Sequence, residues 1–207
     1  MNLRTQCTKS KRYIDCSVSG GGSAGHSIIY KNTVFDLNDS GYMDLTPEDK
    51  YGQRTVEYAL FTHKASGQPV DHFNTHFCVC SDTVTTCCGQ EGQYQSAVEV
   101  QNAMELYRRP GSQLIFTGDL NVQDGYEQSK AILYLKGQLD GAFTPFPLED
   151  TFRTANGESS DGSTFPGQGK IDYIFARPGS TVTSAAIDRG DYGPASDHWP
   201  INAVIQV

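Results

Sequence analysis

Four short clusters of polar residues lie at or just past the ends of apolar segments, and they carry side chains that hydrolytic chemistry uses. The clusters are residues 74–76 (NTH), 118–121 (GDLN), 170–173 (KIDY) and 196–200 (SDHWP). A rigid strand end can hold polar groups at fixed distances, which catalysis requires. The imidazoles, carboxylates and amides of these clusters can bind a hard cation through oxygen and move protons at neutral pH.

Each cluster also has an ordinary structural explanation. An Asp-Leu-Asn segment after a strand is most often a turn or a helix cap, and a single His in a strand is more often a hydrogen-bonded structural residue. Asp172 is harder to explain in this way, because it lies in the otherwise apolar segment 171–175. Burying a carboxylate there costs several kcal/mol unless it has a partner, and His198 is a suitable one.

Together and in this order, the clusters form the pattern NTH … GDxN … IDYI … SDHxP, which resembles that of the endonuclease/exonuclease/phosphatase superfamily. This superfamily includes deoxyribonuclease I, abasic-site endonucleases, neutral sphingomyelinases and inositol-polyphosphate phosphatases. The resemblance runs from about His26 to the C-terminus, and GDLN and KIDYIF…SDHWPI are its most specific parts. It implies a metal-dependent hydrolase of phosphoric esters, that is, a phosphodiesterase, a nuclease or a phosphatase.

The resemblance also implies roles for individual residues. His198 resembles the His that handles the proton of the attacking water, and Asp172 the carboxylate that orients its ring, as in the Asp–His pairs of other hydrolases. His76 resembles a second His, which contacts the scissile phosphate and assists the leaving group.

The expected metal is Mg²⁺ or Mn²⁺, held by few carboxylates together with water and substrate phosphate. Asp197 resembles a metal ligand of the family. Asp119 and Asn121 resemble the pair that positions the water or metal and the phosphate, so that Asp119 is expected to serve both the metal and the reaction.

One part of the family pattern is not recognisable. Members begin with a strand that carries an Asn, followed by a second strand that ends in Gln-Glu, whose Glu binds the metal. The nearest upstream carboxylates, Asp15 and Asp36, do not sit in that pattern. We therefore expect a single domain over residues 1–207 that is incomplete at its N-terminus and has weakened metal affinity and exposed sheet edges. The alternative is a catalytically impaired relative that binds a phosphorylated ligand or a protein partner.

The elements that must position these clusters are mostly strands. Hydrophobic periodicity predicts a β-hairpin over 26–37 with its bend at Lys31 and Asn32, and further strands at 54–62, 71–80, 114–116, 171–176 and 201–207. Helices are predicted at 93–109 and 126–136. With no internal repeat or linker, this order predicts one α/β domain, a layered β-sandwich with flanking helices like that of deoxyribonuclease I.

Composition limits the class of protein and the kind of ligand. The 207 residues suffice for one sizeable domain, and 11 Tyr and 10 Phe are typical of a globular chain. The net charge of -8 weakly disfavours a nucleic-acid substrate and so favours small or lipid phosphoesters. No apolar run is long enough to span a bilayer, residues 1–12 lack the apolar stretch of a signal peptide, and we expect a monomer.

The six cysteines slightly favour a secreted protein with disulfides, since such a number is unusual in a cytosolic domain of this size. In a strand, His76, Cys78 and Cys80 would share one face. A soft-metal site is therefore an alternative, although the spacing C-x-C…C-C is not a standard zinc pattern. Disulfides or buried thiols remain the preferred interpretation.

Overall fold

The computed structural model describes residues 4–9, 14–19, 27–49, 51–79, 89–124, 129–190 and 195–207. The strands and helices in these ranges are, in chain order, β1 (Arg4–Lys9), β2 (Ile14–Ser19), β3 (Ser27–Lys31), β4 (Phe35–Asp49), β5 (Gly52–His63), β6 (Pro69–His76), α1 (Gln90–Tyr107), β7 (Gln113–Asp119), α2 (Lys130–Leu135), β8 (Glu149–Asp150), α3 (Thr151–Asn156), β9 (Asp172–Ala176), β10 (Val182–Ile187) and β11 (Ile201–Ile205). Within these ranges, no helix is both long and apolar enough to cross a membrane.

A mixed sheet of six strands, in the order β4-β5-β6-β7-β9-β8, forms the centre of the fold. Strands β6 and β7 are parallel, as their connection through α1 allows, and the other neighbours are antiparallel. This pairing sets His76 opposite Asp119, and Asp119 opposite Asp172. Three of the predicted polar clusters therefore meet where β6, β7 and β9 come together at one end of the strands.

One face of the central sheet packs against α1 and α2. Because side chains alternate along a strand, Tyr58 of β5, Phe73 of β6 and Phe116 of β7 point to this face and pack in one cluster with Val100 and Met104 of α1. The helical periodicity read from the sequence is confirmed here, since the buried residues of α1 include Ala97, Val100 and Met104.

The opposite face is covered in part by strands outside the central sheet. Ile28 of β3 packs against Ala59, Phe61 and Val70. Strand β3 belongs to a three-stranded sheet with β1 and β2, whereas β10 and β11 form a separate antiparallel pair. The layered α/β organisation predicted from the sequence is confirmed.

The predicted hairpin over 26–37 was wrong in its pairing. The chain does turn after Lys31, where the N–H of Val34 donates to its carbonyl at 2.9 Å. However, β3 pairs with β2 and β4 pairs with β5, so the two strands enter different sheets. Strand β4 also extends to Asp49, well beyond the prediction, because many of its residues are exposed at the sheet edge and give no apolar alternation.

An ion pair between the partly exposed Arg109 and the buried Asp71 fixes the end of α1 to the central sheet. Arg109 donates to Oδ1 of Asp71 through Nε at 2.8 Å and Nη2 at 2.6 Å, and also to the carbonyls of Phe61 and Val70. Asp71 has no exposed surface. The sheet therefore holds a carboxylate whose charge is balanced by Arg109, two residues beyond the end of α1.

We expect Arg109→Met to lower the free energy of unfolding by about 3–5 kcal/mol, because it leaves the charge of Asp71 buried without a counter-ion. Urea denaturation would measure the change. The matched control is Lys64→Met, since the pair of Lys64 with Asp36 is exposed on both sides and should contribute less than about 1 kcal/mol. Equal losses in the two variants would contradict the expectation.

Candidate active site

The side chains of His76, Asp119 and Asp172 form a row across the ends of β6, β7 and β9. The cross-strand register places them opposite one another, and Nε2 of His76 lies 3.4 Å from Oδ2 of Asp119. All three are partly buried. The sheet thus holds two carboxylates and an imidazole in positions set by backbone hydrogen bonds.

His198 joins this row from the segment before β11. Its Nδ1 lies 2.8 Å from Oδ2 of Asp172, and its Nε2 lies 3.9 Å from Oδ2 of Asp119. A proton on Nδ1, donated to Asp172, leaves Nε2 as the basic atom on the side of Asp119. The pair can therefore accept a proton from a molecule bound beside Asp119.

The charges around His198 favour its protonated form. Burial by itself would lower the pKa of His198, but the hydrogen bond to Asp172 and the negative charges of Asp172, Asp119 and Asp197 raise it above its ordinary value. The imidazolium formed by proton transfer would be stabilised in the same way.

The surroundings of Asp119 disfavour its charged form. Burial and the charge of Asp172 raise the pKa of Asp119 to about 6, although a hydrogen bond from the backbone N–H of Asn121 and the nearby His198 partly offset the rise. Carboxylates with raised pKa values in a cluster of acids and bases are typical of functional sites.

Asn121 is held in an unusual backbone conformation beside this row. Its φ of 50° lies in the left-handed region, which asparagine tolerates better than most residues. The N–H of Asn121 donates to Oδ1 of Asp119 at 2.9 Å, and its Nδ2 donates to the carbonyl of Phe77 at 3.0 Å. These bonds fix its amide group next to Asp119.

The residues of the row fit a divalent cation. Asp119, Asp172 and His198 each offer a ligand atom, and these atoms lie within 4.8 Å of one another. Asp197 is mostly exposed, with its Oδ1 at 4.0 Å from Nε2 of His198. Carboxylate oxygens that are partly open to water and substrate match the preference of Mg²⁺ and Mn²⁺.

The soft-metal alternative loses one of its ligands. Cys78 is disulfide-bonded, so its sulfur is not available as a thiolate. This agrees with the preferred interpretation of disulfides for that cysteine. Cys80, Cys87 and Cys88, which the alternative also involved, lie outside the described residues.

A cavity of about 760 Å³ opens beside Asn121 and Ile171, next to the row. Its remaining lining residues are Gln90, Gln93, Val122, Gln123, Ser129, Lys130, Ala131 and Gln168. Among the described lining residues, most polar groups are uncharged and the one cation, Lys130, is paired with Glu91. The loop ahead of β9 contributes Gln168 to this lining.

Two basic residues near the clusters have structural roles. Arg153 pairs with Asp124 at 2.6 Å and donates to the carbonyl of Ser160. Lys170 pairs with Asp150 at 2.7 Å, with both side chains buried. Neither cation is directed at the row.

Glu57 is an acidic residue of this sheet face that the sequence analysis passed over. It lies opposite Asn74 in the antiparallel register of β5 and β6, so alternation places it on the same face as Asn74 and His76. It is only 2 % exposed. The signal was present in the sequence, since Glu57 interrupts an apolar strand just as Asp172 does.

Of the two upstream carboxylates, Asp36 does not fill the position of the family Glu that the sequence lacks. Asp36 is exposed and pairs with Lys64 at 3.0 Å on the far part of β4. The side chain of Asp15 lies outside the described residues.

Comparison with known proteins identifies the fold and the family. The family model described as Endonuclease/Exonuclease/phosphatase family matches residues 4–198. The chain belongs to this family. Its six-stranded mixed sheet and helices match the deoxyribonuclease I-like α/β fold of solved family structures, so both the family and the fold class predicted from the sequence are confirmed.

Three solved structures illustrate the similarity of fold. An endonuclease/exonuclease/phosphatase from Bacteroides vulgatus is 24% identical with a TM-score of 0.69, over 94% of this chain and 76% of that one. A mannosyl-6-phosphatase of Bacteroides thetaiotaomicron is 21% identical with a TM-score of 0.62, over 87% and 70%. D. rerio TDP2, complexed with a single-stranded DNA product, is 18% identical with a TM-score of 0.63, over 87% and 72%. A search of curated protein sequences gave no match.

The family and these neighbours support phosphoester hydrolysis as the general activity. Phosphoester substrates and a divalent cation are general features of the family, and the cluster of Asp119, Asp172 and His198 is compatible with such an ion.

Proposed function

We propose that this protein is a divalent-metal-dependent phosphoesterase in which Asp172 and His198 activate water. The observation that carries the proposal is the 2.8 Å bond between Nδ1 of His198 and Oδ2 of Asp172. This bond leaves Nε2 of His198 facing the carboxylate of Asp119. An oriented base beside an acidic, partly open cluster is what attack of water on a phosphate ester needs.

In the proposed reaction, Nε2 of His198 takes a proton from water as its oxygen attacks phosphorus. Asp172 fixes the tautomer and orientation of the ring and stabilises the imidazolium that forms. The new P–O bond forms as the ester P–O bond breaks. His76, at the other side of Asp119, contacts the phosphate and supplies a proton to the departing oxygen.

Asp119 and Asp197 would hold the cation, and Mg²⁺ or Mn²⁺ is the expected ion. When bound, it would offset the negative charge of the phosphate oxygens. Asn121, which is held next to Asp119, would orient the phosphate. The raised pKa of Asp119 supports this assignment, because a nearby positive charge would favour its ionised form.

The substrate is proposed to be a small phosphoester. Most of the described polar residues that line the cavity beside Asn121 are uncharged, and its Lys130 is paired with Glu91. The net charge is -8, so neither feature favours a polyanion. Among the structural neighbours are both a mannosyl-6-phosphatase and TDP2 with a DNA product. Phosphomonoesters and DNA are therefore the two substrate classes to compare.

The test is hydrolysis of p-nitrophenyl phosphate, bis-p-nitrophenyl phosphate and plasmid DNA with Mg²⁺, Mn²⁺ or EDTA. We expect turnover that needs the metal and falls by about 10²–10⁴-fold in His198→Ala. The preferred substrate separates monoesterase, diesterase and nuclease. A folded wild-type protein that binds phosphate but hydrolyses none of the three would contradict the proposal and support the impaired relative.

A further inference from the structure

Thr164 contacts the backbone on both sides of the Asp172–His198 pair. It lies in the loop before β9 and has no exposed surface. Its hydroxyl oxygen accepts hydrogen bonds from the N–H groups of Ile171 at 3.0 Å and Asp172 at 3.1 Å. Its carbonyl accepts from the N–H of Trp199, the neighbour of His198, at 2.7 Å.

This arrangement matters because the two halves of the pair come from separate parts of the chain. Asp172 and His198 are 26 residues apart, and strand register alone does not fix the segment that carries His198. Thr164 links the start of β9 to that segment through one rigid residue. A hydrogen bond of 2.8 Å tolerates little displacement of either partner.

The loop itself is held in place and reaches the imidazole. The N–H groups of Thr164 and Phe165 both donate to the carbonyl of Gly169, at 3.0 and 3.2 Å. The ring of Phe165 meets the ring of His198 edge-on, with centroids 4.8 Å apart and an interplanar angle of 80°. Thr164 therefore restrains the backbone beside His198, and Phe165 restrains the plane of the His198 ring.

We propose that Thr164 is a positioning residue, whose hydroxyl and carbonyl oxygens hold Asp172 and His198 at hydrogen-bonding distance. Its effect on turnover rests on the proposed function of that pair. Thr164 touches neither the reacting atoms nor the metal ligands in this scheme. It acts only through the placement of two backbone segments.

The test compares Thr164→Val, which keeps the shape but removes the acceptor, with Thr164→Ser, which keeps the acceptor. We expect kcat to fall by about 10- to 100-fold in Thr164→Val with KM little changed, since a small displacement of a catalytic group has an effect of this size. Thr164→Ser should stay within about threefold of wild type, because the same two N–H groups remain satisfied.

Thr144→Val is the matched control, since Thr144 is also buried and its hydroxyl donates to the carbonyl of Tyr134 at 2.6 Å. It should lose stability without a comparable loss of kcat. In a His198→Ala background, Thr164→Val should cause no further loss, because the residue acts through the imidazole. Wild-type kcat in folded Thr164→Val, or a full additional loss in that background, would overturn the proposal.

A structural readout separates this inference from the proposed function. Imidazole ¹H–¹⁵N spectra should show a hydrogen-bonded Nδ1–H of His198 in wild type, Thr164→Ser and Thr144→Val, and its loss or exchange broadening in Thr164→Val. This holds even if the protein hydrolyses nothing. An unchanged signal in Thr164→Val would overturn the inference. If Thr164→Val does not fold, Thr164→Cys replaces it, with a smaller loss expected because sulfur is a weak acceptor.

Discussion

Asp172→Asn is expected to lower kcat by about 10³–10⁴-fold while leaving the fold intact. The carboxylate accepts from Nδ1 of His198 at 2.8 Å, and an amide turned to donate there would favour the tautomer with its proton on Nε2. That ring could no longer take a proton from water. The wrong tautomer has an effect of this order in hydrolases that use an Asp–His pair.

The measurement is steady-state kinetics on the best substrate of the panel, with thermal unfolding as the check on folding. Asp36→Asn is a suitable control, because Asp36 is exposed, pairs with Lys64 and lies away from the row. It should leave kcat unchanged. A folded Asp172→Asn protein that keeps more than about a tenth of wild-type kcat would remove Asp172 from the proposed mechanism.

Asp119→Asn is expected to act in opposite directions on activity and on stability. Metal-dependent turnover should fall by about 100-fold or more, as for loss of an electrostatic contact to the reacting group. At the same time, the metal-free protein should become more stable at pH 7 by about 1–3 kcal/mol. The amide removes the cost of burying the charged carboxylate and its repulsion with Asp172, but keeps an oxygen for the N–H of Asn121.

The two pKa values of Asp119 give the direction in which stability changes with pH. The pKa of Asp119 is about 6 in the folded protein and 3.8 for an unperturbed carboxyl, so between these values the folded state binds more protons than the unfolded state. The stability of the metal-free protein therefore falls as the pH rises from about 4 to about 6. In Asp119→Asn this part of the pH dependence should be absent.

Urea denaturation of EDTA-treated protein at pH 4 and pH 7, combined with a Mg²⁺ titration of activity, would test both effects. Asp197→Asn is the informative comparison, because Asp197 is a proposed metal ligand that is mostly exposed. It should lower activity without raising stability. An Asp119→Asn protein that is no more stable at pH 7 than wild type would show that the carboxylate is not strained in the metal-free fold.

The sequence was most informative where the evidence is local. Asp172 was recognisable because a carboxylate in an apolar strand needs a partner, and the structure places His198 beside it. The main helix was recognisable because Ala97, Val100 and Met104 repeat at helical spacing, and they are buried in α1. Short elements gave no such signal, so α3, β8 and β10 were not predicted.

Strand pairing was harder to predict from the sequence. The segments 27–31 and 35–49 were recognised in part as strands, but their partners were not, because alternation specifies which residues share a face and not which strand lies beside them. Glu57 carries the same local signal as Asp172, a carboxylate in an apolar strand, but only its register with Asn74 shows that it lies on the face of the row.

The sequence by itself determined the candidate reacting groups, their order along the chain and the family, because side-chain chemistry and strand ends are properties of short segments. Only the tertiary structure decided that His76, Asp119 and Asp172 lie in one row and that Thr164 joins β9 to the segment of His198. Such contacts depend on backbone hydrogen bonds between segments far apart in the chain. Local hydrophobic pattern does not specify them.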